Sequence, residues 1–498
     1  MHLRQSLMAA ALAAVTLALG AALMQSAAAA ATTATDPNAA PTSGERETGR
    51  KAYEEIIKYY GIYEDQSVQD YMNTVGQNLL RHSHMPNAEF HFTVLDTDDF
   101  NAFATEGGYV YVHRGLMAYL NSEAEFATVV GHEIGHVTAR HMAKRKVQNI
   151  LTGIAVTAAA IMTQNQAAAQ LANLGGNAWL GGYSREQESE ADRLGVEYAA
   201  KTGYRPEAMA DVFRTFQAQE RFERDRAKLE HREPHLYHGV FSDHPAPDDR
   251  MIQAIKVSAN FQPAEGQGIE YHDEYLQRVE GLPYGSSKRQ GIVRDNRFYH
   301  SELGISLAFP KGWIVENEPT RLVARSPGGD SLMQMTADGR PDKLSPREFL
   351  IKNLRSSNLS SGEELKIDGY DAYTLIDRYG SPFDEGSGPV RYVAIFKDKS
   401  VYVFAGASRS SSKMMPAADL VFVSVAESFR RLRPSEYPLG EPYRIKLLKA
   451  TANTRIGEVA KEIPLQRKED YPLETLRLLN GMYPKGEPKE GQLFKTIQ

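Results

Sequence analysis

The 498-residue chain contains no cysteine. Disulfides and a lipid anchor on cysteine are therefore excluded, and any metal site must draw on His, Asp and Glu. An excess of positive charge is absent as well. Against 63 Asp and Glu stand 57 Lys and Arg, for a net charge of −6. That balance argues against nucleic acid as the main partner, because phosphate binding needs a basic surface. Long apolar runs are missing beyond the N-terminus. Ile150 to Met162 comes nearest, but it contains Gly153 and falls short of the ~20 residues that span a bilayer. What is present, 42% hydrophobic and 24% charged residues, is the composition of a folded soluble chain. Its length calls for two to four domains.

At the N-terminus Arg4 precedes the apolar stretch Leu7 to Met24, and small residues follow from Ser26 to Ala31. Charged, apolar and small segments in that order predict a secretory signal peptide over residues 1–31. Residues 32–45, rich in Thr, Ala and Pro, are expected to be a disordered leader. The mature chain is expected to have no transmembrane span.

From Arg46 to about Gly281 the pattern is mainly helical. Tyr53 to Tyr60 and Val68 to Leu80 carry apolar residues at three- and four-residue spacing. His91 to Leu95 and Tyr109 to Val112 read as short strands. Leu282 to Gly291 has the Pro, Gly and Ser content of a linker. Beyond it, Ile305 to Phe309, Ala372 to Ile376, Arg391 to Phe396 and Val401 to Phe404 read as strands, with helices over Pro346 to Leu354 and Ala417 to Phe429. A last unit combines a strand (Tyr443 to Leu448), two short helices (Ile456 to Glu462, Leu473 to Leu479) and a final strand (Gln492 to Ile497). The expectation is an α+β multidomain chain. A mainly helical domain with a small sheet covers 46–281, an α+β accessory domain 292–432, and a small α/β module 440–498.

One segment concentrates chemistry. His132 and His136, four residues apart, project from the same helix face, so both imidazoles can reach one zinc ion at ~2.0–2.1 Å. Glu133 sits beside the first, placed to deprotonate a water that the metal acidifies. Gly131 and Gly135 leave room for close packing. His141, five after His136, falls off that face and is not expected to be a ligand. Downstream, Glu186, Glu188 and Glu190 all offer a third ligand on spacing alone, and Glu188 forms an i, i+4 pair with Asp192.

Four motifs in order make residues 46–260 resemble the HtpX/BepA-type zinc metallopeptidases, relatives of the CAAX prenyl protease. They are Asn101-Ala102-Phe103-Ala104 with Gly107-Gly108-Tyr109-Val110-Tyr111-Val112, then His132-Glu133-Ile134-Gly135-His136, Glu188-Ser189-Glu190-Ala191-Asp192, and Ser242-Asp243-His244-Pro245 with Arg250. The resemblance implies a zincin-type domain with one Zn2+ per chain, held by His132, His136 and Glu188. It implies Glu133 as general base, Asp192 as the residue orienting a ligating His, and Gly107, Gly108 and Tyr109 as the start of an edge strand for extended substrate. His244 is expected near the metal, stabilising the oxyanion or latching the open position. His231, His235 and His238 are expected to be structural or solvated.

The function so implied is a periplasmic metalloendopeptidase that hydrolyses unfolded or misassembled envelope proteins, soluble or peripherally associated with the envelope. Two competing readings are a latched, mainly non-proteolytic assembly factor and a glycan-binding scaffold. The second rests on the tail, which distantly resembles a LysM module and makes peptidoglycan a candidate partner. Phe309-Pro310-Lys311-Gly312-Trp313 resembles a phrase of small periplasmic modules, and no chemistry is assigned to that domain.

Overall fold

A computed structural model describes residues 40–141, 183–230, 234, 247–261, 268–318, 321–379, 388–409, 415–465 and 470–498. The expected signal segment, residues 32–39 of the expected leader, the stretch Ser242 to Pro245 with His244, and His231, His235 and His238 lie outside them. No helix among the described residues is long and apolar enough to cross a membrane.

Within Pro41–Gln498, helix α1 (Ser43–Tyr60) starts on a capping box between Thr42 and Glu45. Helix α2 (Gln66–Arg81) starts on Asp65, whose carboxylate accepts from the N–H groups of Ser67 and Val68. The periodic residues Val68, Met72, Val75 and Leu79 form its buried stripe. Strands β1 (His91–Leu95), β2 (Ala102–Thr105) and β3 (Tyr109–His113) make a small sheet in the order β1-β3-β2. β3 pairs parallel with β1 and antiparallel with β2. It is the central strand, so the edge expected at Gly107 to Val112 is not there. The outer side of β1 is closed by Gln69, which donates to the Val94 carbonyl and accepts from the Val94 N–H at 2.9 and 3.0 Å. That leaves β2 as the other edge.

Helices α3 (Arg114–Tyr119), α4 (Glu123–Thr138), α5 (Arg185–Thr202), α6 (Ala208–Leu229), α7 (Pro247–Ser258) and α8 (His272–Val279) follow. The segment read as a linker is docked on this domain. Fully buried Arg114 donates to the carbonyls of Pro283 (2.6 Å) and Gly285 (3.0 Å) and to Asp96 (2.9 Å), while the Ser287 hydroxyl donates to the other Asp96 oxygen. Strand β4 (Pro283–Tyr284) lies within it.

The next region builds two sheets. Strands β5 (Ile292–Arg294), β6 (Arg297–His300) and β7 (Ile305–Ala308) join β15 (Arg430–Arg431) in one. The other holds β8 (Ile314–Glu318), β9 (Arg321–Arg325), β10 (Ser331–Gly339), β11 (Leu359–Ile367), β12 (Tyr370–Asp377), β13 (Val390–Lys397) and β14 (Ser400–Ser408), in the order β11-β12-β13-β14-β10-β9-β8. Strand β13 carries an unbroken run of apolar and aromatic residues from Tyr392 to Phe396 because both of its faces are covered there. Val393 and Ile395 enter one core with Phe422 and Phe429, from α10 (Met415–Glu427) and just beyond it. Tyr392, Ala394 and Phe396 enter a second core with Leu350 and Leu354 of α9 (Pro346–Leu354).

The tail comprises β16 (Tyr443–Lys449), α11 (Ile456–Val459), α12 (Pro472–Leu479) and β17 (Leu493–Ile497), with β16 between β17 and β4. Its apolar residues Ile445, Ile456, Leu476, Leu479 and Ile497 share one cluster with residues of α2, α4 and α6. Lys495 makes the join specific. Its ammonium is fully buried and donates to the carbonyls of Ala118 and Leu120 at the end of α3, at 2.8 and 2.7 Å. Burial pushes Lys495 down, against the attraction of Glu125 in the first turn of α4. Burial pushes Glu125 up in turn, against the Asn121 N–H it accepts. Lys495→Met keeps the aliphatic stem but deprives two carbonyls of their donor. We expect a loss of about 2 kcal/mol, read as a lower urea midpoint; an unchanged midpoint would show that the ammonium contributes nothing.

Candidate metal centre

Two helices carry the site. Helix α4 begins on Ser122, which accepts from the Glu125 N–H, and every residue from Ala124 to Thr138 is buried. Helix α5 begins on a capping box between Ser184 and Gln187 and ends at Gly203 in the left-handed conformation. They cross backbone to backbone. A Cβ on Gly195 would lie 2.9 Å from the His132 nitrogen and 3.0 Å from the Thr128 carbonyl, and one on Gly131 would lie 3.1 Å from the Gly195 carbonyl. Only glycine permits that approach. It sets one histidine pair opposite one carboxylate pair.

His132 Nε2 and His136 Nε2 are 3.0 Å apart, and Glu188 presents Oε1 3.5 Å from the second and Oε2 3.7 Å from the first. Tetrahedral bonds of ~2.0–2.1 Å place neighbouring donors about 3.3 Å apart. The three side chains thus fit a metal ion, and among the described residues they are the group so arranged. Glu186 and Glu190, the rivals on spacing, are not in it.

The far side of each imidazole is occupied. His132 Nδ1 lies 2.9 Å from Asp192 Oδ1. Asp192 in turn accepts a bidentate pair from Arg250 Nε and Nη2 (2.7 and 2.6 Å), and Arg250 Nη1 reaches Glu188 Oε2 at 2.9 Å. Burial opposes the Asp192 charge. Arg250 and His132 overcome it and bring its pKa down to about 2. The guanidinium of Arg250, on α7, also sits 5.0 Å over the Phe213 ring. In the sequence Arg250 was only part of a motif; the structure gives it both carboxylates to hold.

His136 Nδ1 lies 3.0 Å from His141 Nδ1, and His141 Nε2 lies 3.1 Å from Glu190 Oε2. The Tyr183 ring stacks on His136 with centroids 3.6 Å apart. His141 gets there because α4 stops. Arg140 turns left-handed (φ 59°), its N–H donates to the Val137 carbonyl, and the His141 N–H donates to the His136 carbonyl. These are the two bonds of a Schellman motif.

Glu133 is buried and lines a small cavity with His132, Asp192, Arg250 and Ala102. Leu116, Val129, Met209, Val212, Phe213 and Phe216 give that cavity an apolar wall. Ala102 belongs to the edge strand β2. The His113 N–H bonds to the Asn101 carbonyl, so the alternation of an antiparallel pair turns the main-chain groups of Ala102 and Ala104 away from β3. Tyr109 and its neighbours lie on the other side of β2. Gly107 and Gly108, both at positive φ, make the tight β2–β3 turn.

The sequence profile of Peptidase family M48 matches residues 66–258. The beta-barrel assembly-enhancing protease of Escherichia coli (strain K12) is 28% identical over 245 residues, 47% of this chain and 47% of that protein. The protein of the same name from Yersinia pestis is 30% identical over 235 residues, 45% and 46% of the two chains. The mitochondrial metalloendopeptidase OMA1 of Arabidopsis thaliana is 29% identical over 153 residues, 30% and 31%. The match spans about half the length of the first two relatives or less.

Proposed function

We propose, on the match of residues 66–258 to peptidase family M48, that this chain is a zinc-dependent endopeptidase of the exported compartment. The donor triangle of His132, His136 and Glu188, with Glu133 in the adjoining cavity, carries the reading. Two imidazoles and one carboxylate are the ligand set of hydrolytic zinc sites. A zinc ion so held supplies a Lewis acid that acidifies water and polarises a peptide carbonyl.

The protein's own groups do the rest. Glu133 takes a proton from the attacking water and passes it to the departing amine. Asp192 and Arg250 keep the His132 ring in register. An extended substrate adds to the outer side of β2, pairing with the main chain of Ala102 and Ala104, and sets a side chain against the apolar wall. Strand addition asks for unfolded chain, and the first two relatives are named for β-barrel assembly; unfolded or misassembled envelope proteins are the substrate class we infer. A buried carboxylate beside the ligands favours catalysis over a purely structural metal site.

Elemental analysis is expected to find one zinc per chain, and casein to be cleaved. A chelator should abolish cleavage and stoichiometric zinc restore it. Full activity in metal-free protein would overturn the proposal.

A further inference from the structure

His136 is supported differently from His132, and the difference assigns a role to two residues outside the ligand set. His132 rests on a carboxylate, Asp192, at 2.9 Å. His136 rests on another imidazole, His141, at 3.0 Å, and that imidazole rests on Glu190 at 3.1 Å. His141 and Glu190 come from separate elements, the turn after α4 and the second turn of α5.

We infer that His141 and Glu190 are positioning residues that fix the tautomer and plane of His136, an inference that rests on the zinc-site reading above. A ligating His136 offers the Nε2 lone pair to the donor triangle, so its proton is on Nδ1. That N–H faces His141 Nδ1, which must be the acceptor. The His141 proton is then on Nε2, where it is donated to Glu190 Oε2. Each nitrogen in the row has one role, and the order of donors is set from the carboxylate inward. The stacked Tyr183 ring holds the His136 plane from the side. Because His141 approaches the ring nitrogen remote from the triangle, it is not a fourth ligand. Partners behind metal-bound histidines raise ligand basicity and restrict rotation, and their loss weakens metal binding ~10–100-fold.

The test measures zinc dissociation constants by chelator competition, and the visible spectrum of the cobalt(II) form, on full-length protein. His141→Phe keeps a ring but no acceptor, and is expected to bind zinc ~10-fold or more weakly and to shift the cobalt bands. His141→Asn places a carbonyl oxygen where Nδ1 was, and should recover most of the affinity. Glu190 is half exposed, so Glu190→Ala tests the same row without a packing defect, and a several-fold weakening is expected. Apo-protein melting curves report the fold separately; if His141→Phe does not fold, Glu190→Ala and His141→Asn decide. Zinc affinity and cobalt spectra equal to wild type in Glu190→Ala, and in His141→Phe where it folds, would overturn the inference. A wild-type chain that binds no zinc would overturn the metallopeptidase reading and this one with it, whereas one that binds zinc but cleaves nothing would overturn only the activity.

Discussion

Glu133→Gln is expected to lower casein hydrolysis by ~10²–10⁴-fold, the usual contribution of a positioned general base, with zinc content and melting temperature unchanged. The amide has the shape of the carboxylate but cannot take a proton from water or return one to the amine. In barrier terms the loss is about 3–5 kcal/mol. Glu133 is buried beside the triangle yet does not belong to it, which is why metal and activity should separate. The measurement is kcat/KM alongside metal content of the same preparation. Hydrolysis within a few fold of wild type would remove Glu133 from the mechanism, and loss of zinc would make it a ligand instead.

The second large effect concerns stability. Arg250→Met fills similar space but strips the charge that Asp192 and Glu188 share. Removing one member of a buried ion pair costs about 3–5 kcal/mol, because the other is left without compensation. A urea unfolding series should show it. Its pH dependence has a fixed sign. The Asp192 pKa is depressed in the folded state, from an ordinary 3.8 to about 2. Its contribution is therefore complete above about pH 4 and lost as the pH falls through about 2. The gap between wild type and variant should be widest near neutrality and should narrow toward pH 2. The variant should also bind zinc more weakly, since Asp192 would no longer hold His132. A gap independent of pH would assign the loss to packing against Phe213 rather than to charge.

The local elements and ligand types were legible in the sequence because they depend on short-range spacing. His132 and His136 share a face by helical periodicity. Val68 to Leu80 buries the stripe its spacing predicts, and the strand runs around Tyr392 and Phe404 are strands. The tertiary structure alone decided which groups meet. Among three glutamates two apart, Glu188 is selected by the close crossing at Gly131 and Gly195, a contact between helices that no local pattern encodes. The edge of the small sheet lies at Ala102–Thr105 and not at Gly107–Tyr109, because strand order depends on the partners of β1 and β3, not on the strands' own alternation. His141 was placed off the ligand face by extending a helix that in fact ends at Thr138; a left-handed Arg140 brings it back behind His136. Lys495 reads as an ordinary strand lysine until its fold carries it to the end of α3, more than three hundred residues away in sequence. Composition and periodicity thus determined the chemistry available to this chain, and long-range packing determined the geometry in which it is used.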